Sequence, residues 1–413
     1  MANQNTSDRL QDFLQRMLAD FPWEIIVNDW VGKQYSLGGK TKHWRNLPLN
    51  IHIKSENAGK DLLSLNALRF LERFVQGEVD MWGNMYLLSD IRCHAKLSLT
   101  PWRLLLQVIA SRALLFQNIS RAKANVKSHY DIPEAALSVY LDKTYRSYSC
   151  GMFECPEKLN LEELKEPGIG ESDEFDSLEK AQWRKFKDAV DFISPDKGET
   201  LLDIGCGYGG QLQIALESHP FGKVVGWTHS DNQVNEGRRS LSRFSGNSWE
   251  LKKGDYRQET RIFDHVTSTG MVSHVGPRGL RQYVKNVRAK IRKDGRYMHH
   301  ALMEPNTECA LDSEIGIAFN KKYVWPGFHW FSLDDHIEAL TENNFTVMKM
   351  INLSKHYAKT TTAWYERMMG NEDAMINYLG TQTFRAWQIY LAGASSGFLN
   401  GKMCVHRIYC CAK

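Results

Sequence analysis

The densest chemistry in the chain lies in the run Thr200-Leu-Leu-Asp-Ile-Gly-Cys-Gly-Tyr-Gly-Gly210. An apolar strand ends in an acid, Asp203, glycines crowd the turn, and Gln211 to Glu217 can start a helix. Gly205 and Gly207, with Cys206 between them, let the backbone take positive φ and approach a ligand with no Cβ in the way. The acid selects the ligand: a carboxylate repels a pyrophosphate at a helix N-terminus, whereas Asp203 can meet the ammonium of a methionine moiety. The D-x-G-x-G-x-G spacing therefore predicts S-adenosylmethionine rather than a dinucleotide. Two further strand ends fall where a doubly wound sheet places its ligand. The strand from Lys223 leads to Thr228 and Gln233, candidates for the ribose diol through neutral hydrogen bonds. The strand from Trp249 leads to Asp255 and Tyr256, beside an adenine, and a fourth strand over 263–270 opens the acceptor side.

These strand ends need a scaffold. Strands alternating with helices from Thr200 onward predict an α/β fold, a Rossmann-like methyltransferase domain over 121–413 with a smaller mixed N-terminal domain over 1–120. In the smaller domain, helical spacing occurs in Leu10, Phe13, Leu14, Met17 and Leu18 and again in Leu62, Leu63, Leu65, Leu68, Leu71 and Phe74. Leu49, Ile51 and Ile53 alternate as a strand, and a further helix is expected over 102–116. No catalytic constellation is visible there. Residues 154–180 carry ten acids against three lysines, with Pro167, Gly168 and Gly170, the composition of a surface loop ahead of a helix.

The 413-residue chain has a formal net charge of only +4, so nothing marks a dedicated nucleic-acid binder. No stretch reaches the roughly 18 apolar residues of a membrane span. The N-terminus carries early acids and a broken apolar pattern, unlike a secretory signal. Eight cysteines without a C-x-x-C pair read as reduced thiols of a cytoplasmic protein, and no metal site is expected.

With these pieces placed, the chain resembles the cyclopropane-fatty-acyl-phospholipid synthase family, with its relatives that methylate mycolic acids and make methyl-branched fatty acyl chains. The resemblance is carried by His129-Tyr-Asp131, Tyr148-Ser-Cys150, the turn at 202–210, Gly270-Met271, His274-Val-Gly-Pro277 and Ala363-Trp-Tyr-Glu-Arg367. It implies that Tyr148 and Ser149 hold the methionine carboxylate, and that the acceptor is the double bond of an unsaturated phospholipid acyl chain. An alkene is a weak nucleophile, so methyl attack leaves a cation on the chain that aromatic faces stabilise without adding a nucleophile. Tyr365, Trp364 and Phe328 are of the right type. The family's base is a bound bicarbonate, and the equivalent positions here are Cys150, His300 and Tyr365, with a backbone contact at Leu302; His299 is one place from His300.

One position departs from the family. Where synthases carry glutamate in a Gly-Met-Phe-Glu-His-Val-Gly run, this chain reads Gly270-Met-Val-Ser-His-Val-Gly276, with Ser273 at the glutamate's place. Loss of a proton from the added methyl closes a cyclopropane, and loss from a neighbouring carbon leaves a methyl-branched alkene; Ser273 leaves both products open. A non-catalytic lipid-binding relative is a further alternative. Glu304 and Glu308 are acids that offer a different base, although solvated surface is the simpler reading of both.

The acceptor lies in a bilayer, so a peripheral enzyme on the inner face of the cell membrane is expected. Residues 278–296 hold eight bases and one acid around the stripe Leu280, Tyr283, Val284, Val287 and Ile291, an amphipathic helix with a basic outer face. The resemblance also implies that the N-terminal domain docks at the membrane or pairs subunits into a homodimer. Nothing in the sequence identifies a reductase or desaturase partner.

Overall fold

A computed structural model describes residues 2–94, 133–165, 176–304 and 310–413. The expected helix over 102–116, the His129-Tyr-Asp131 motif, Glu308 and residues 166–175 of the acidic stretch lie outside the described residues. Two compact units form: residues 1–114 with 311–324 and 373–397, and residues 115–310 with 325–372 and 398–413.

The first unit holds a four-stranded sheet in the order β2-β1-β3-β4, from β1 (Ile25–Asn28), β2 (Gln34–Leu37), β3 (Leu49–Ile53) and β4 (Val79–Gly83). Leu49, Ile51 and Ile53 alternate as expected, with all three buried. The expected apolar helix through Leu62 and Phe74 is two helices, Glu56–Leu63 and Ala67–Gln76. Leu65 between them takes φ 56, and Asn66 caps the second helix by accepting the Arg69 N–H at 3.2 Å. The polar cap outcompetes continued helical spacing.

The second unit is built on a seven-stranded sheet in the order β10-β11-β9-β8-β5-β6-β7. Its strands are β5 (Thr200–Ile204), β6 (Lys223–Thr228), β7 (Trp249–Lys253), β8 (His265–Thr269), β9 (Arg296–Met303), β10 (Phe345–Asn352) and β11 (Cys404–Ala412). Pairings from β7 through β9 are parallel, while β11 runs antiparallel to both its neighbours. The chain moves from β5 out to β7 and returns to β8 on the other side of β5. That reversal opens a crevice at the carboxyl end of β5, the switch point where such sheets bind ligands. Alternate strand residues feed separate cores: Leu201 and Val224 pack with Val190, Ile193 and Leu212, whereas Leu202, Ile204 and Val225 pack with Val284, Val287 and Tyr297.

The basic segment differs from expectation. Its helix spans only Leu280–Arg288, and Arg296 already opens β9. Arg281 pairs with Glu338 and Glu342, and Arg292 with Glu199 and Asp264. Lys290 donates to the Glu259 carbonyl at 2.6 Å, and Arg296 to the carbonyl of Phe192. Much of the charge is thus paired with acids and carbonyls of the same chain, which weakens this face as a membrane surface. Among the described residues, no helix is long and apolar enough to cross a membrane.

Candidate active site

At the end of β5, Asp203 is 4% exposed and accepts the Thr267 hydroxyl at 2.8 Å. Burial pushes its pKa up to about 7, against the opposing pull of the Thr267 hydrogen bond and the Lys185 charge. No ion pair joins it to a cation among the described residues. A buried carboxylate in this state gains most from an incoming ammonium. The turn beyond it has Gly205 at φ 77 and Gly207 at φ 54, a region where a side chain would be strained. The amides of Gly205 and Cys206 both donate to the Trp227 carbonyl at 3.0 Å, tying the turn to β6. The Cys206 thiol is buried under β6, where a Cβ added to Gly226 would come 2.7 Å from its sulfur. Cys206 therefore offers the crevice backbone rather than its thiol.

Thr228 and Gln233 are brought together, with the threonine hydroxyl donating to Gln233 Oε1 at 2.5 Å, both 7% exposed. Ser230 caps the intervening helix by accepting the Gln233 amide at 3.3 Å, which aims that side chain back at the strand end. Asp255 is held by Arg257, whose Nε donates at 2.8 Å. Burial pulls the Asp255 pKa up, but the Arg257 bonds outweigh it and the net shift is downward. Tyr256 is buried beside Tyr283, ring centroids 5.8 Å apart.

The loop Tyr148-Ser149-Cys150 lies against two helices, Leu178–Ile193 and Ser354–Met369. Tyr148 stacks on Trp364 at 4.8 Å and 8°, and Trp325 tilts against it at 5.3 Å. Ser149 is held from beneath by a residue that sequence reasoning missed, Lys185, which is 0% exposed. Its ammonium donates to the hydroxyls of Ser147 and of Ser149, the latter at 2.9 Å, and to Gln182 Oε1 at 2.5 Å. Gln182 Nε2 in turn donates to the Ser149 carbonyl at 2.8 Å. Burial lowers the Lys185 pKa to about 7, opposed by Asp142. The signal was present: Gln182 and Lys185 fall on the buried stripe of the helix Leu178–Ile193, at spacing otherwise filled by Ala181, Phe186 and Ala189. Lys185→Met keeps the length and removes the donor that presents Ser149. The expected result is about tenfold weaker S-adenosylmethionine binding with the fold retained, read by calorimetry beside circular dichroism.

Farther along, Cys150 is fully buried, its thiol donates to the Leu353 carbonyl at 3.7 Å, and burial raises its pKa to about 12. The register of β9 separates the neighbouring histidines. His299 bonds Tyr297 at 2.7 Å and His336 at 3.0 Å on one face, while His300 meets Arg407 of β11 on the other. Burial and the nearby Arg407 charge drive the His300 pKa well below its usual value, so the ring is neutral. Arg407, also missed in the sequence, is 0% exposed. Its Nη1 donates to Asp188 at 2.5 Å and to the Lys185 carbonyl at 2.9 Å, and its Nε lies 3.4 Å from His300 Nδ1. Its Nη2 is buried with no hydrogen-bond partner among the described residues. No periodicity marks Arg407, because an inward arginine interrupts the apolar alternation without a motif around it.

Ser273 lies in the short turn Val272–His274; its carbonyl accepts the His329 amide at 2.9 Å, and its hydroxyl is buried without a hydrogen-bond partner among the described residues. Tyr365 is 2% exposed on the helix Ser354–Met369, one residue from Trp364. Phe328 packs on Trp330 at 5.1 Å. Glu304 is exposed.

Comparison with known proteins adds the following. The family described as mycolic acid cyclopropane synthetase matches residues 117–408. A probable fatty acid methyltransferase of Pseudomonas putida is 28% identical over 287 residues, 68% of this chain and 68% of that protein. The cyclopropane-fatty-acyl-phospholipid synthase of Escherichia coli K12 is 25% identical over 383 residues, 92% of this chain and 91% of that protein. Among solved structures, mycolic acid cyclopropane synthase CmaA1 complexed with SAH and CTAB aligns with a TM-score of 0.62 at 25% identity, covering 70% of this chain and 98% of that one.

Proposed function

The chain belongs to the mycolic acid cyclopropane synthetase family and is an S-adenosylmethionine-dependent methyltransferase acting on lipids; from that premise we propose that its acceptor is the double bond of an unsaturated phospholipid acyl chain. S-adenosylmethionine supplies an electrophilic sulfonium methyl. The residues fit it: Asp203 offers a buried carboxylate with no ion-pair partner among the described residues, Gly205 and Gly207 open the turn, Thr228 and Gln233 pair at the next strand end, and Lys185 presents Ser149. In this reading Asp255 and Tyr256 line the adenine side, with Asp255 shared with Arg257.

The observation that carries the acceptor reading is the stack of Tyr148 on Trp364, directly before Ser149 and Cys150. It gives the loop that carries Ser149 and Cys150 an electron-rich aromatic face. Such a face stabilises a developing cation without the carboxylate that would readily capture it. The proton must then leave. Bicarbonate fits the polar cluster on one observation, the unpartnered buried Nη2 of Arg407 beside neutral His300. Arg407, His300, Cys150 and Tyr365 would hold it, and it would serve as the proton acceptor.

A second reading, the methyl-branched alkene, is favoured by Ser273. Its buried hydroxyl has no partner and carries no charge where a glutamate would help orient the base. Incubation with labelled S-adenosylmethionine and unsaturated phospholipid is expected to label acyl chains, and unlabelled chains under all lipid conditions sink the proposal. Proton NMR then separates the products, because ring hydrogens resonate upfield whereas the isomers share a mass. Ser273→Glu is expected to move the product ratio several-fold toward the ring, and an unmoved ratio removes Ser273 as the determinant.

We place the enzyme at the cytoplasmic face of the cell membrane, peripheral and paired as a homodimer, as the full-length likeness to the phospholipid synthase suggests.

A further inference from the structure

We propose that the segment 38–48 and Trp82 of the first unit form the patch by which the protein docks on an anionic lipid surface. Large apolar side chains are rarely left in water together. Here Trp44 is 37% exposed, Leu47 49% and Trp82 49%. They belong to one end of the small sheet: Trp82 registers opposite Asn50, and the Asn84 amide donates to the Pro48 carbonyl at 3.0 Å. Asn84 Nδ2 also reaches His43 at 2.8 Å, which fixes the segment against the strand end. The Trp44 ring rests on Tyr86 at 4.6 Å, so it is a preformed projection rather than a loose side chain.

Charge decides the occupant. Residues 38–50 contain Lys40, Lys42 and Arg45 and no acid, while the neighbouring segment that accepts the Gly39, Thr41 and Leu49 amides brings Asp20 and Glu24, the latter accepting the Ser36 hydroxyl at 2.9 Å. Lys40 and Lys42 are exposed, and neither has an ion-pair partner among the described residues, in contrast to the paired Arg281 and Arg292 of the other unit. Indole rings at an interface flanked by unpaired lysines match the headgroup layer of an anionic bilayer, where apolar burial and attraction to headgroups add. A second copy of this chain would bring like charge against like charge on such a patch. The inference rests on the lipid-acceptor reading for its purpose, not for its evidence.

The test uses the full chain and sedimentation with vesicles of phosphatidylcholine alone or mixed equally with phosphatidylglycerol. Wild type is expected to bind the mixed vesicles, less so in high salt. Lys40→Glu with Lys42→Glu, and separately Leu47→Ser with Trp82→Ser, are each expected to weaken binding by at least about tenfold. Methyl transfer to unsaturated lipid dispersed in detergent is expected to stay at the wild-type rate in both variants. Unchanged vesicle binding overturns the proposal, and so does a patch variant that alters the oligomeric state, which would make the patch a subunit interface. If wild type binds vesicles yet labels no acyl chain, the acceptor reading fails and the docking surface stands.

Discussion

Asp203→Asn is expected to weaken S-adenosylmethionine binding roughly 100-fold while leaving the fold intact, because the amide keeps the Thr267 hydrogen bond but offers no charge to the ammonium. The pH dependence identifies the cause. Burial raises the Asp203 pKa from 3.8 to about 7, so below neutrality the carboxylate must shed a proton before it can take the ligand. Affinity of the wild type should therefore rise about tenfold per pH unit up to about 7 and then flatten, with proton release visible as buffer-dependent calorimetric heats. The Asn variant should show neither. In the ligand-free protein, the raised pKa contributes stability that is full below 3.8 and lost as pH rises through about 7. Thermal shift at pH 8 should find Asp203→Asn at least as stable as wild type. A variant that binds as tightly as wild type and retains its pH slope would remove Asp203 from the ammonium site.

Arg407 should show the other large effect, split between two substitutions. Arg407→Met strips the buried partner from Asp188 and removes the guanidinium beside His300. Losing one member of such a pair costs about 3 kcal/mol, so in a unit of this size the thermal midpoint should fall by roughly 5 °C. Arg407→Lys keeps the charge but loses the planar fork that bonds Asp188 and the Lys185 carbonyl and still presents Nη2. It should fold and bind S-adenosylmethionine within about threefold of wild type, yet transfer methyl at least about 100-fold more slowly. Its half-saturating bicarbonate concentration should rise as well. Wild-type turnover with no bicarbonate response would refute this role, whatever the stability change.

What could be read locally was read from residues close together in sequence. The glycine turn behind Asp203 is set by the φ demands of Gly205 and Gly207, and Thr228 and Gln233 meet because a capped helix starts between them. The break at Leu65 was not legible, since a single left-handed residue leaves the apolar spacing on either side unchanged. The basic helix misled for a different reason: a charge count carries no information on which acids lie opposite, and Glu338, Glu342 and Glu199 lie opposite much of it.

Local residue order was enough for the α/β frame, the glycine-rich turn and the order of the strand ends, because backbone sterics and apolar periodicity act over a few residues. Long-range folding was needed to select His300 over His299 as the neighbour of Arg407, 107 residues away in the chain, and to bring Lys185 beneath Ser149. Those facts depend on the register of the antiparallel β11 against β9 and on one helix face docking beneath a loop. Sheet register and docking are settled by the packing of the whole core, which no short run of residues encodes.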